Sequence, residues 1–283
     1  MDGEARTDDW QMADDPTPDE DYVPPARLVA AMSAAGKKKA GLSASDMVLR
    51  GFMSGMVLGF ATAVSLTAVA EGSPPWVGAL LFPLGFVILV LLGYELVTGN
   101  FAVVPVAAFD GHVTTPRVLR SWGLVFVGNL LGSVAFAALL YAGVTKFGHG
   151  GGGALGDVIV AKAEGKTLAY AKAGAVVGVG TAFVKAILCN WMVATGTVMG
   201  LVSTRVVGKI VAMWLPIFAF FAMGFEHSVV NMFLIPAGML FGAKITVADW
   251  WVWNQVTVTV GNIVGALLLV GWVLHRTHGA RRA

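Results

Sequence analysis

The feature that most constrains this chain is an internal echo. Glu95-Leu96-Val97-Thr98-Gly99-Asn100-Phe101-Ala102-Val103-Val104-Pro105 returns as Glu226-His227-Ser228-Val229-Val230-Asn231-Met232-Phe233-Leu234-Ile235-Pro236. Glu, Asn and Pro recur at one offset, since 226−95, 231−100 and 236−105 all equal 131. A second pair, Gly128-Asn129-Leu130-Leu131-Gly132 and Gly261-Asn262-Ile263-Val264-Gly265, recurs at 261−128 = 133. In an apolar chain such an echo indicates two homologous halves, each with a polar, helix-breaking element inside a membrane span. That is the architecture of a transport pathway.

Composition sets the solvent. With 57% hydrophobic and 13% charged residues and a mean hydropathy of +0.75, the chain lies outside the soluble range. Its apolar stretches reach the length needed to cross hydrocarbon as helix. The pattern predicts an all-α membrane protein with six transmembrane helices, about residues 47–70, 76–112 (broken), 117–143, 173–203, 207–241 (broken) and 253–275. Gly51-Gly55-Gly59, Gly128-Gly132, Gly174-Gly178 and Gly261-Gly265 have the small-xxx-small spacing of close helix packing. The single Cys189 excludes an internal disulfide. No signal peptide precedes the first span, so that span itself must target the chain.

Charge sets orientation and boundaries. Nine of the 17 acids fall in the first 21 residues, so residues 1–24 read as an acidic, disordered cytoplasmic leader. Residues 25–46, rich in Lys and Ala, read as an amphipathic helix on the inner membrane face. Arg27, Lys37, Lys38, Lys39, Arg50, Arg117, Arg120, Arg205, Lys209 and the basic tail 276–283 all fall on one side of a six-span scheme. By the positive-inside rule both termini are cytoplasmic. The transport domain is then 47–275, with repeats at about 47–143 and 173–275. Three spans per half is odd, so the halves are inverted, and the two breaks meet near the bilayer midplane. Gly150-Gly151-Gly152-Gly153 reads as a flexible external loop.

His227 is the leading candidate for chemistry, because an ionisable residue in mid-membrane is costly and functional by default. The alternative is a neutral ring satisfied by backbone groups at the break. Thr98 in the other break offers it a hydroxyl partner. Glu95 and Glu226 start the breaks, where a carboxylate can cap the following half-helix. Asn100 and Asn231 are expected to tie down the loop backbones, and Asn129 and Asn262 to bridge helices. Asn190 is a candidate wall residue, since a buried amide needs partners. Phe82, Phe86, Phe220 and Phe221 could close a passage. Glu226-His227 lacks the second His of a zinc-protease pair, and no nucleophile elbow or phosphate loop occurs. No enzyme chemistry, cofactor, metal or nucleic-acid partner is expected.

At these residues the chain resembles the formate/nitrite transporter family. Gly224-Phe225-Glu226-His227-Ser228-Val229-Val230-Asn231-Met232-Phe233-Leu234-Ile235-Pro236 is similar to that family's signature, and Leu188-Cys189-Asn190-Trp191-Met192-Val193 and Gly261-Asn262-Ile263-Val264-Gly265 to further blocks. The resemblance covers roughly residues 25–275. It implies an aquaporin-like protomer, a homopentamer in the plasma (bacterial inner) membrane, and a pore in each protomer for small monovalent weak-acid anions and protons. It also implies that Thr98 faces a central His227, that Phe82, Phe86 and Phe220 form an outer constriction, and that Leu96, Asn190 and Val193 form an inner one. Lys172 is the nearest match to a vestibule lysine, about two residues out of register. Gly99-Asn100 departs from the family's hydroxyl run. An aquaporin-like neutral-solute channel and a non-transporting membrane scaffold are the alternatives.

A bare anion in mid-bilayer costs from about 3 to above 10 kcal/mol. The expected mechanism therefore has His227, aided by Thr98, supply a hydrogen bond or a proton. Because an unperturbed His titrates near neutrality, low external pH should favour uptake.

Overall fold

A computed structural model describes residues 21–279; the leader residues 1–20 and the tail residues 280–283 lie outside them. The described residues are helical apart from turns and one isolated bridge between Tyr22 and Ser203. Four helical runs have the length and composition to cross a membrane: Ala44–Ala70 (α2), Thr115–Val144 (α6), Gly153–Met199 and Val247–His278. Shorter apolar helices lie between them, in pairs around the two breaks.

In the first half, α3 (Pro75–Leu81) and α4 (Pro83–Leu91) form one helical run interrupted only at Phe82, and α5 (Val97–Phe109) follows a five-residue gap. In the second half, α10 (Val206–Ala222) precedes the gap and α11 (Ser228–Leu240) follows it. Both gaps carry a left-handed glycine as their second residue, Gly93 (φ 68°) and Gly224 (φ 63°), again 131 residues apart. Each ends its helix alike: Tyr94 N–H donates to the Leu89 carbonyl and Phe225 N–H to that of Phe220, the doubled-back hydrogen bond of a glycine-terminated helix. Pro105 and Pro236 sit inside α5 and α11.

Glycines let the long helices touch. A methyl at Gly55 would lie 2.2 Å from the Asn129 carbonyl, and one at Gly132 1.9 Å from that of Phe52, so α2 and α6 meet backbone to backbone. The second half repeats this between α9 (Gly180–Met199) and α13 (Val256–Ala266), where a methyl at Gly265 would lie 2.3 Å from the Ile187 carbonyl.

Two expectations change. The segment around Gly150–Gly153 is not wholly loop: Gly153 opens α7 (Gly153–Gly165), followed by α8 (Leu168–Gly174) and a π-helical turn, Ala175–Val179, that leads into α9. And α1 (Pro25–Ala40) buries Leu28, Val29, Met32 and Gly36 against α5 instead of offering that face to lipid. A methyl at Gly36 would lie 2.2 Å from the Val103 carbonyl. In the other half α7 packs on α11 the same way, with Gly238 against Ala163. The structural echo therefore takes in α1 and α7 and is longer than the spans alone.

Candidate functional site at the paired helix breaks

Each break is pinned by an amide on the neighbouring long helix. Asn129 accepts from Val97 N–H (2.9 Å) and donates to the carbonyls of Gly51 and Glu95 (both 2.8 Å). Asn262 accepts from Ser228 N–H (2.9 Å) and donates to those of Ala186 (2.8 Å) and Glu226 (2.9 Å). The backbone of each break also docks on the helix behind it, Glu95 N–H on the Arg50 carbonyl and Glu226 N–H on that of Lys185. Asn129 and Asn262 thus bridge helices as expected, and they also secure the first amides of the half-helices.

The carboxylates do something other than cap. Glu95 is held by Lys39 Nζ (3.0 Å) and Asn100 Nδ2 (2.8 Å). Glu226 is held by Lys166 Nζ (2.9 Å), Tyr170 O–H (2.8 Å), Asn231 Nδ2 (2.8 Å) and Asn254 Nδ2 (3.2 Å). Asn100 and Asn231 therefore tie the carboxylates and not the loop backbones. Desolvation explains the choice, because a buried carboxylate needs a cation and several donors. Lys172, the vestibule lysine suggested by resemblance, is exposed on α8; the buried ion pair is made by Lys166, six residues earlier. Neither Lys39 nor Lys166 stood out in the sequence, since one lies in a helix assigned to the membrane surface and the other in an assigned loop. The available signal was that each unpaired Glu in a span demands a cation from outside it.

At the centre the two breaks touch. His227 is the residue preceding α11, and its Nδ1 accepts from Val230 N–H (3.1 Å). With Nδ1 an acceptor, the neutral ring carries its proton on Nε2. Nε2 lies 3.0 Å from Thr98 Oγ1, in the first turn of α5. Both residues are buried, His227 at 2% exposure. Phe220 stacks on the imidazole, with centroids 5.6 Å apart, and meets Phe82 edge-on at 5.6 Å, while Phe221 stacks on Phe82 at 3.9 Å. Asn190 donates to the carbonyls of Thr98 (3.1 Å) and Asn262 (2.7 Å), so its amide spans both halves, while its Oδ1 has no partner among the described residues. Val193 is buried one turn further along α9.

A cavity of about 280 Å³ opens on one side of this centre. Leu96 and Phe86 line it together with Lys39, Arg50, Thr197 and Lys209; His227 does not. The resemblance groups Phe86 with Phe82 and Phe220. It lies one helical turn beyond Phe82 and shares the cavity wall with Leu96 instead.

A family model described as formate/nitrite transporter matches residues 26–276. A probable formate transporter of Methanothermobacter thermautotrophicus is 32% identical over 269 residues, 91% of this chain and 97% of that protein. The formate channel FocA of Haemophilus influenzae is 33% identical over 250 residues, 78% of this chain and 84% of its own. Among solved structures, an FNT family ion channel superposes with a TM-score of 0.73 at 25% identity, covering 87% of this chain and 97% of the other. A pentameric formate channel with formate bound gives 0.68 at 25% identity, covering 83% and 98%. A match over nearly the whole described length, with the paired breaks in place, means that this chain belongs to the formate/nitrite transporter family.

Proposed function

We propose that the protein is a membrane channel or transporter for small monovalent weak-acid anions such as formate or nitrite, passing them through the point where the two breaks meet. On this reading the helices of Pro25–Val144 and of Gly153–His278 are inverted halves of an aquaporin-like, six-span protomer with both termini cytoplasmic, and the protomers form a homopentamer in the plasma membrane. Residues 25–46 and the tail from 276 then lie on the cytoplasmic face. The observation that carries the reading is the Thr98–His227 contact: two buried polar side chains, one from each interrupted helix, meet inside an apolar core.

The chemistry follows from the hydrogen-bond directions. Nε2–H of His227 faces Thr98, and the Thr98 hydroxyl keeps its own proton free to turn. Both can be offered to an anion. Leu96, at the position in the first break that His227 occupies in the second, brings no acceptor to the start of α5, which leaves first-turn N–H groups with the partial positive charge that favours anions. Asn190 Oδ1, an acceptor without a partner, suits the O–H of a protonated acid. A solute that arrives as an anion and leaves the centre as the neutral acid avoids most of the cost of crossing hydrocarbon.

Phe82 and Phe220 form the constriction on one side of His227; Leu96, Phe86, Asn190 and Val193 form that on the other. His227 does not line the cavity, whose wall includes Leu96, so a solute that reaches the ring has to pass beyond that wall. Lys38, Arg50 and Lys209 line the cavity and give it positive charge, whereas Lys39 and Lys166 are each held by a break carboxylate. A flux panel in proteoliposomes with formate, nitrite, hydrosulfide, acetate and lactate at two pH values tests the reading. Selective, pH-dependent anion flux is expected; water or glycerol swelling without anion flux would move the assignment to a neutral-solute channel, and no flux of any kind to a scaffold.

A further inference from the structure

The cavity opens where α5 meets α9, and the echo between the halves shows what is different there. The long helices behind the two breaks match at an offset of their own. The Arg50 and Lys185 carbonyls accept from Glu95 N–H and Glu226 N–H, and the Phe52 and Ile187 carbonyls face the close approach of Gly132 and Gly265; 185−50 and 187−52 both equal 135. The same offset pairs Thr62 of α2 with Thr197 of α9. Each hydroxyl donates to the carbonyl one turn earlier, Leu58 (2.8 Å) and Val193 (3.1 Å). The half-helices differ: at the 131-residue offset of the breaks, α5 has Gly99 where α11 has Val230. Thr62 and Val230 are both buried, whereas Thr197 is half-buried and, with Gly99, lines the cavity.

The space beside Gly99 is already taken. A β-carbon there would lie 2.7 Å from Thr197 Oγ1 and 3.3 Å from its Cγ2. Asn190, Val193 and Thr197 fall at i, i+3 and i+7 on α9, which puts them on one stripe of the helix. That stripe runs from the centre, where Asn190 donates to the Thr98 carbonyl (3.1 Å), to the cavity wall. Gly99 directly follows Thr98. A solute moving between the cavity and the Thr98–His227 centre meets the point where Thr197 faces Gly99.

We propose that Gly99 and Thr197 form a size filter on the cavity side of the centre. The threonine sets the bulk of the largest acid that passes, and the glycine leaves just enough room for it. The inference rests on the anion-transport reading and narrows its substrate class. Monoanions of the size of formate or nitrite pass readily, and acetate, one methyl larger, is held back. One methyl at a tight contact discriminates by about tenfold or more.

The test uses the full chain in proteoliposomes, with folding checked by size exclusion, and reads acetate and formate flux. Thr197→Ala, which removes bulk beside Gly99, should raise the acetate-to-formate ratio by about tenfold. Thr197→Val keeps the bulk and loses the hydroxyl, so its ratio should stay nearer the native value than that of Thr197→Ala. Gly99→Ala should cut formate flux in the native background and cost far less on Thr197→Ala, where the new methyl has room. A folded Thr197→Ala with the native ratio overturns the filter, and so does an equal Gly99→Ala loss in both backgrounds. A Thr197→Val ratio as high as that of Thr197→Ala overturns bulk as its basis. The melting temperature of the solubilised protein reads the contact without flux: Gly99→Ala should lower it more in the native background than on Thr197→Ala, and equal losses remove the contact on which the filter stands. If the folded native chain carries neither anion while that difference in melting is present, the transport reading falls and the pair is a packing contact alone.

Discussion

The two breaks share a backbone and differ in one decisive side chain. Leu96 (φ −111°, ψ 118°) and His227 (φ −110°, ψ 121°) occupy the same position before their half-helices. Each break is held by a bridging Asn, a buried Glu and a lysine from outside the interrupted helices. What changes is that His227 caps its own helix while presenting Nε2–H to the centre, whereas Leu96 does neither and instead walls the cavity. Duplicated hydrogen bonds build the frame; an imidazole on one side and a hydroxyl from the other make it polar at a single point. Symmetry here belongs to the scaffold and asymmetry to the chemistry.

The sharpest way to break the comparison is to remove the bridging amides. Asn262→Leu orphans Ser228 N–H and the carbonyls of Ala186 and Glu226, each costing about 1–3 kcal/mol when buried. The melting temperature of the solubilised protein should fall by on the order of 10 °C. Asn129→Leu removes the equivalent three bonds and should cost about the same; a large difference between the two would mean that the scaffold is not symmetric in energy.

The ion pairs should be less equal. Glu226 is 1% exposed and sealed, so Lys166→Met leaves an uncompensated buried charge worth about 3–5 kcal/mol. Glu95 and Lys39 line the cavity, where solvent relieves part of the loss, so Lys39→Met should cost less in the same melting assay. The reverse order would show that α1 and not α7 is the stronger clamp.

At the central position, His227→Leu restores the Leu96 pattern. It removes one helix cap, worth about 0.5–2 kcal/mol, and should leave the melting profile close to native. A collapse of the fold in this variant would place His227 in the scaffold.

The smallest expected effect is at the Asp21 anchor. The Ser203 hydroxyl, then the Arg205 and Thr204 amides, hold this carboxyl below its ordinary value of 3.8. A lowered native pKa means that the anchor is fully made above the ordinary value and is lost as pH falls through the lowered one. Amide exchange at Thr204 and Arg205, corrected for its intrinsic pH dependence, should lose protection only in that acid range. Asp21→Asn should remove the pH dependence.

Much of this was legible in the sequence because it was written twice. The repeated Glu, Asn and Pro mark both breaks, the second Asn motif marks the bridges, and the matching breaks pair Thr98 with His227. What escaped notice was written once or far away. Lys39 lies 56 residues from Glu95, and a lysine-rich amphipathic helix reads equally well as a membrane-surface segment. Glycines near 150 masked the start of α7, although its packing on α11 mirrors α1 on α5. Phe86, which the resemblance groups with Phe82 and Phe220, lines the cavity with Leu96, because one helical turn gives a side chain different neighbours and spacing alone does not show where the turn lands.

Formate uptake by proteoliposomes containing the native chain or His227→Leu, at two pH values, bears most directly on the centre formed by Thr98 and His227. Native protein should carry formate in a pH-dependent manner, and the folded variant should fall to the level of protein-free vesicles. A correctly folded variant that carries formate at the native rate with the native pH response would contradict a role for the imidazole in transport.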